Sequence, residues 1–133
     1  MPLVYSGQEN ANAKRLKFFS KDELNWQVPT VLHDFYQRLF RLRERNAAVA
    51  MGQCRLLNTS ADDQLLVYVF EKSKQRVWVL LNVARRGRAT VTIEDGSLAG
   101  RYRQLFSELD YTFSARENFE LMEGEYLVYE SIQ

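Results

Sequence analysis

The side chains able to do chemistry are few and scattered. The carboxylates ahead of residue 40 are Glu9, Asp22, Glu23 and Asp34. The sole histidine, His33, falls in the first turn of a helical stretch and off its apolar stripe. That is the position of a solvated or loop-packing side chain, and no serine or cysteine beside it offers a nucleophile. The single cysteine, Cys54, reads as a small packing residue at the start of a strand. It cannot form an intrachain disulfide, no Cys/His spacing suits a metal, and no cofactor is implied. Aromatic faces offer another chemistry, because the rings of Trp and Tyr suit stacking on sugar rings. Trp26, in a loop, is the better candidate. Trp78 lies between Val77 and Val79 in a strand and reads as a packing residue. Tyr126 and Tyr129 fall on opposite faces of one strand, so they cannot form a single platform.

Three zones must position these groups. Residues 1–29 read as a short strand, Pro2–Tyr5, a turn at Ser6-Gly7, and a loop rich in Asn, Lys and aromatics. The second zone is a helix, about 30–46. Thr30 is expected to cap it, with Pro29 discouraging extension backwards. Leu32, Phe35, Tyr36, Leu39, Phe40 and Leu42 recur at three- and four-residue spacing and form one wide apolar stripe. Asn46 is expected to stop the helix, and Gly52 is non-helical.

From about Gln53 the period changes. Arg55–Asn58, Leu65–Glu71, Val77–Val83, Ala89–Ile93, Tyr102–Phe106, Phe119–Met122 and Glu125–Glu130 read as strands. Short polar or glycine turns separate them, at Ser60–Asp63, Lys72–Gln75, Arg85–Arg88, Asp95–Gly100 and Glu123–Gly124. Closely spaced strands of this kind predict an antiparallel sandwich over 51–133. Leu65–Phe70 and Val77–Val83 are apolar on both faces and should be central.

Composition narrows the function. The chain has 133 residues, is 46% hydrophobic and 26% charged, and carries a formal net charge of +1. Arginines cluster at 38–45 and 85–88, but acids balance them, which argues against a nucleic-acid face. No run approaches the ~20 apolar residues of a membrane span. Pro2–Tyr5 lacks the length and basic flank of a signal-peptide core, and localisation is left open.

The motifs taken in order resemble a known family. MPLVYSGQE is similar to the eighth barrel strand of the α-amylase family of glycoside hydrolases, with its Pro-apolar-apolar-Tyr-x-Gly-x-Glu pattern. RLKFFSKDELNW resembles the loop that follows in bacterial members. DFYQRLFRLRERNAA resembles the eighth barrel helix, with Ala47 where a proline is usual. FELMEGEYLVYES resembles the last hairpin of the C-terminal β-sandwich. The resemblance covers nearly the whole chain.

It implies a mainly β chain: a Greek-key sandwich preceded by a remnant β/α unit of a (β/α)8 barrel, with domains at 1–50 and 51–133. It also implies a truncated fragment in which Met1 was an internal methionine. Retaining glycosidases need two carboxyl groups roughly 5–5.5 Å apart. The resemblance puts those residues upstream of Met1, so no catalytic residue is expected here. Glu9 would end the strand on the face where barrel active sites lie. Tyr5, Glu9 and Trp26 are therefore the candidate substrate contacts of the parent enzyme, with a hydrogen-bonded loop anchor the favoured role for Glu9. The expected partners are the upstream barrel domain and, weakly, an α-glucan. A homodimer through Leu32, Phe35, Tyr36, Leu39 and Phe40 is also expected, aided by the unpaired edge of Leu3–Tyr5. The competing readings are a stand-alone carbohydrate-binding module, which requires an exposed aromatic platform on one sheet, and a self-associating structural domain.

Overall fold

The computed structural model describes residues 3–26, 30–59, 63–84 and 86–132. The start of the expected first strand, Met1 and Pro2, lies outside that range, as do Pro29, Arg85 and most of the Ser60–Asp63 turn. The chain forms two compact units, Met1–Leu42 and Arg43–Gln133. The boundary read from sequence, after residue 50, followed the change of period; the contacts group residues 43–51 with the strands that follow.

The second unit is an antiparallel sandwich. A six-stranded sheet has the order β1-β2-β3-β8-β5-β6, and β4 pairs with β7 in a two-stranded sheet. The strands are β1 (Gln53–Leu57), β2 (Leu65–Lys72), β3 (Gln75–Asn82), β4 (Ala89–Glu94), β5 (Gly100–Gln104), β6 (Asp110–Phe113), β7 (Arg116–Leu121) and β8 (Tyr126–Ser131). Neighbours β3–β8, β8–β5 and β4–β7 are not consecutive in the chain, so connections cross between the sheets in the Greek-key manner.

Alternation decides which residues meet. On β4, Ala89, Val91 and Ile93 are buried while Thr90, Thr92 and Glu94 are exposed, the pattern of a strand with one dry face. Leu65, Val67 and Val69 of β2 and Trp78 and Leu80 of β3 join them in one cluster with Leu98, Tyr102, Phe119, Leu121 and Tyr129. Trp78 stands opposite Tyr129 across β3–β8, and both are core residues. The central placement of β2 and β3 and the packing role of Trp78 thus match the sequence reading.

Buried polar side chains close the ends of the sandwich. Asn82 is 5% exposed. Its amide donates to the carbonyls of Gly87, Leu121 and Met122, and its Oδ1 accepts from Ala84 N. One side chain therefore ties the end of β3 to the end of β7. Gln104 Oε1 accepts from Phe106 N and Ser107 N and shapes the turn into β6. Asp95 Oδ1 accepts from Ser97 N and Oγ, while Oδ2 accepts from Arg55. Burial pushes the Asp95 carboxyl up, but those hydrogen bonds outweigh it and hold the group below its ordinary range.

Several local expectations are corrected. The helix does not begin at Thr30. Residues 31–32 form a turn in which His33 N donates to the Thr30 carbonyl, and α1 runs His33–Arg45. α1 ends at Arg45 and Asn46 is non-helical, so Asn46 stops that helix as expected, but the helical region continues beyond it. Asn46 is the N-cap of a second helix, α2 (Ala47–Met51), with its side chain accepting from Ala48 N at 2.9 Å. Gly52 follows because a Cβ there would meet Ala48 O at 2.3 Å and Glu71 O at 2.6 Å, so only glycine lets α2 approach β2 this closely. β6 was not foreseen: Tyr111, Thr112 and Phe113 are strand formers, but a run of four residues is too short to show a period. β5 and β7 begin earlier than their apolar runs, at Gly100 and Arg116, because ladder pairing extends into polar residues. Leu3–Tyr5 is not in a strand. A strand needs a ladder partner, and among the described residues no strand pairs with that segment.

Candidate functional site

The N-terminal unit is organised around a tight turn. Gly7 has φ 84°, and a Cβ there would crowd Asn12 and Leu24 at 3.1 and 3.2 Å, which is why glycine stands at that point. A short 3-10 turn, Gln8–Asn10, follows. Gly7 O accepts from both Asn10 N and Asn12 N, and Glu9 O accepts from Leu32 N at 2.8 Å, which links the turn to the entrance of the helix.

This turn carries two of the three sequence-derived candidates. Tyr5 is 64% exposed and lines a shallow cavity of about 300 Å³ with Ser6, Gln8, Asn12, Lys14 and Arg15. Glu9 lies on the turn, but its anchoring contact is made by its backbone carbonyl. Its Oε2 is buried without a hydrogen-bond partner, as are Oδ1 and Nδ2 of Asn10. Unpartnered buried polar atoms are rare in folded proteins and each costs about 1–3 kcal/mol. Trp26 is 52% exposed and does not line the cavity. The structure therefore gathers Tyr5 and Glu9 on one turn and leaves Trp26 apart. Gln8, Asn10 and Arg15 were missed, since single polar residues in a loop carry no spacing signal. The cluster of Asn and Lys in that loop was the only hint.

Asp22 clasps the loop. Its carboxylate accepts from Lys14 Nζ and from the backbone N–H groups of Lys17 and Glu23. The Lys14 ammonium, then the Lys17 amide, hold the acid below its ordinary range. Phe18 and Phe19, between the clasped ends, are 90% and 94% exposed and stand edge to face at 4.7 Å. His33 is exposed. No group of three His, Cys, Asp or Glu side chains among the described residues is placed to hold a metal.

In the sandwich, a second concavity of about 380 Å³ lies over β4 and β7, lined by Thr90, Thr92, Asn118 and Glu120. Thr92 Oγ1 donates to Asn118 Oδ1 at 2.7 Å, and Arg88 pairs with Glu120 at 3.0 Å. Tyr129 is buried while Tyr126 is 40% exposed, and Tyr126 packs edge to face on Phe106 at 5.1 Å. Cys54 is exposed rather than packed, because β1 is an edge strand. The expectation of a packing cysteine is corrected accordingly. No described helix is long and apolar enough to cross a membrane.

Comparison with known proteins gives a fold likeness without a sequence relative. No family model matches the chain, and no curated protein matches it. Among solved structures, the chain is similar to the noncanonic maltogenic α-amylase AmyB from Thermotoga neapolitana, with a TM-score of 0.72 and 17% identity over 99% of this chain. It is similar to an Anoxybacillus α-amylase, with a TM-score of 0.66 and 19% identity over 81% of this chain. AmyP E221Q in complex with maltotriose aligns with a TM-score of 0.61 and 12% identity over 74%. The chain spans 33%, 24% and 20% of these three proteins. Its fold is thus that of a part of α-amylase structures.

Proposed function

We propose that the chain is the C-terminal part of an α-amylase-type glycoside hydrolase acting on α-glucans. The chain itself serves as a non-catalytic domain that covers and stabilises a barrel. One observation carries this reading: nearly all of the chain follows the fold of AmyB while spanning only a third of it. The motif order read from the sequence supports it independently. The candidate site adds a second support. Of the carboxylates around the turn and loop, Asp22 is spent on the clasp and Glu9 has an inaccessible oxygen. Neither forms the facing pair that glycoside hydrolysis requires.

The exposed Phe18 and Phe19, with Leu3 at 84% exposure, are the surfaces such a barrel would cover. Exposed apolar side chains such as the touching Phe18 and Phe19 rings suit an interface. Incubating the chain with maltooligosaccharides and analysing products tests the reading. No hydrolysis is expected; turnover that Glu9→Gln abolishes would overturn it.

Self-association is the second reading, favoured by the helix stripe. Phe40 is 37% exposed, and Leu32, Phe35, Tyr36 and Leu39 are only partly buried. A twofold dimer through these residues would cover them. Light scattering over a concentration series should then show a dimer that Phe40→Glu dissociates. A monomer at every concentration would remove this reading.

A further inference from the structure

The cavity beside the Gly7 turn is lined by Tyr5, Ser6, Gln8, Asn12, Lys14, Arg15 and Leu16, and no carboxylate-bearing residue lines it. Lys14 is neutralised by Asp22. Arg15 is exposed and forms no ion pair with a described residue, so the cavity keeps one uncompensated positive charge. Gln8 Oε1 is occupied by Tyr5 N at 3.1 Å, which leaves the amide N–H2 to donate. Asn12 is spent on the Lys14 backbone: its Oδ1 accepts from Lys14 N at 3.2 Å and its Nδ2 donates to Lys14 O at 3.5 Å. The Glu9 carboxylate is near in sequence but does not line the cavity, and one of its oxygens is buried.

We propose that this cavity takes an anionic saccharide. The guanidinium of Arg15 supplies the planar, permanently charged fork that phosphate esters and carboxylates accept in pairs of hydrogen bonds. The Gln8 amide and the Ser6 hydroxyl add neutral donors. The largely exposed Tyr5 ring offers a face for the sugar. A neutral glucan segment would use the donors and the ring but leave the charge unanswered. The proposal gives the sugar-contact reading of Tyr5 a charge preference, and it rests on that reading only for its saccharide half.

The test is an NMR titration of the full chain at low salt with glucose, glucose 6-phosphate, glucuronate and inorganic phosphate, following amides 5–16. At least one anionic sugar should bind roughly fivefold or more tightly than glucose, the gain expected of a charge-assisted pair. Arg15→Gln should erase that margin and leave the glucose shifts unchanged, while Tyr5→Ala weakens all three sugars. Stronger binding of glucose 6-phosphate identifies a phosphate ester as the source, and stronger binding of glucuronate identifies a carboxylate. Inorganic phosphate matching both anionic sugars would overturn the saccharide half. Glucose matching them would overturn the charge preference while leaving the sugar-contact reading intact. No shift with any of the four would overturn both, leaving the reading of the chain as a hydrolase part to its own hydrolysis assay.

Discussion

The sandwich and the N-terminal unit solve the same problem differently. In the sandwich, apolar side chains from β2, β3, β4, β5, β7 and β8 meet one another in a single cluster, and buried polar groups such as Asn82 have their hydrogen bonds made within the unit. In the N-terminal unit, Leu3, Phe18 and Phe19 are more than four-fifths exposed. Three buried polar atoms on Glu9 and Asn10 have no partner. The sandwich buries its large apolar side chains against one another and leaves one buried polar atom, Trp78 Nε1, without a partner. The N-terminal unit is organised, through Gly7 and the Asp22 clasp, but leaves Leu3, Phe18 and Phe19 exposed. That contrast separates a unit whose large apolar side chains are mostly buried from one that leaves those three exposed.

Substitution should sharpen this contrast most. Trp78 is fully buried, so Trp78→Ala should cost about 3–5 kcal/mol in denaturant unfolding, the range for large-to-small changes of a buried aromatic. Phe18→Ala removes a ring of similar chemistry that is 90% exposed, and it should change stability by less than about 0.5 kcal/mol. Comparable losses at the two positions would break the comparison, since Phe18 would then be packed in solution.

A smaller effect concerns the clasp. The Asp22 carboxylate is held below its ordinary 3.8 by Lys14 Nζ first and then by backbone N–H groups. A depressed pKa in the folded chain means the clasp contributes fully at neutral pH and is lost as pH falls through the folded value. Trp26 fluorescence should therefore change below pH 3.8 and stay flat above it. Asp22→Asn should open the loop at neutral pH, so that trypsin cuts at Lys17 and Lys21 roughly tenfold faster than in the wild type, as expected for local opening. Equal cleavage rates would show that the loop is held by something other than Asp22.

The two regions also differed in how far the sequence revealed them. Period-two patterns with long apolar runs exposed β2, β3 and β8, because burial on one or both faces leaves a compositional trace. β6 left none: of its four residues only Phe113 packs partly buried against the core, while Tyr111 is exposed. Asn46 looked like a helix stop, since a capping amide serves the end of one helix and the start of the next equally well. The strand expected at Pro2–Tyr5 had the right residues, but Leu3–Tyr5 has no ladder partner among the described residues, and composition cannot supply one. The candidate site was legible only as single residues. Tyr5 and Glu9 could be named from a motif, but the grouping of Tyr5 with Gln8 and Arg15 depends on the left-handed turn at Gly7, which side-chain pattern does not encode.

Hydrogen exchange followed residue by residue tests the contrast most directly. The amides of β2, β3 and β8 should exchange only through global unfolding, and so more slowly than those of residues 3–26 by on the order of a thousandfold or more. Protection of residues 3–26 equal to that of the central strands would contradict the account, because the N-terminal unit would then be as self-sufficient as the sandwich.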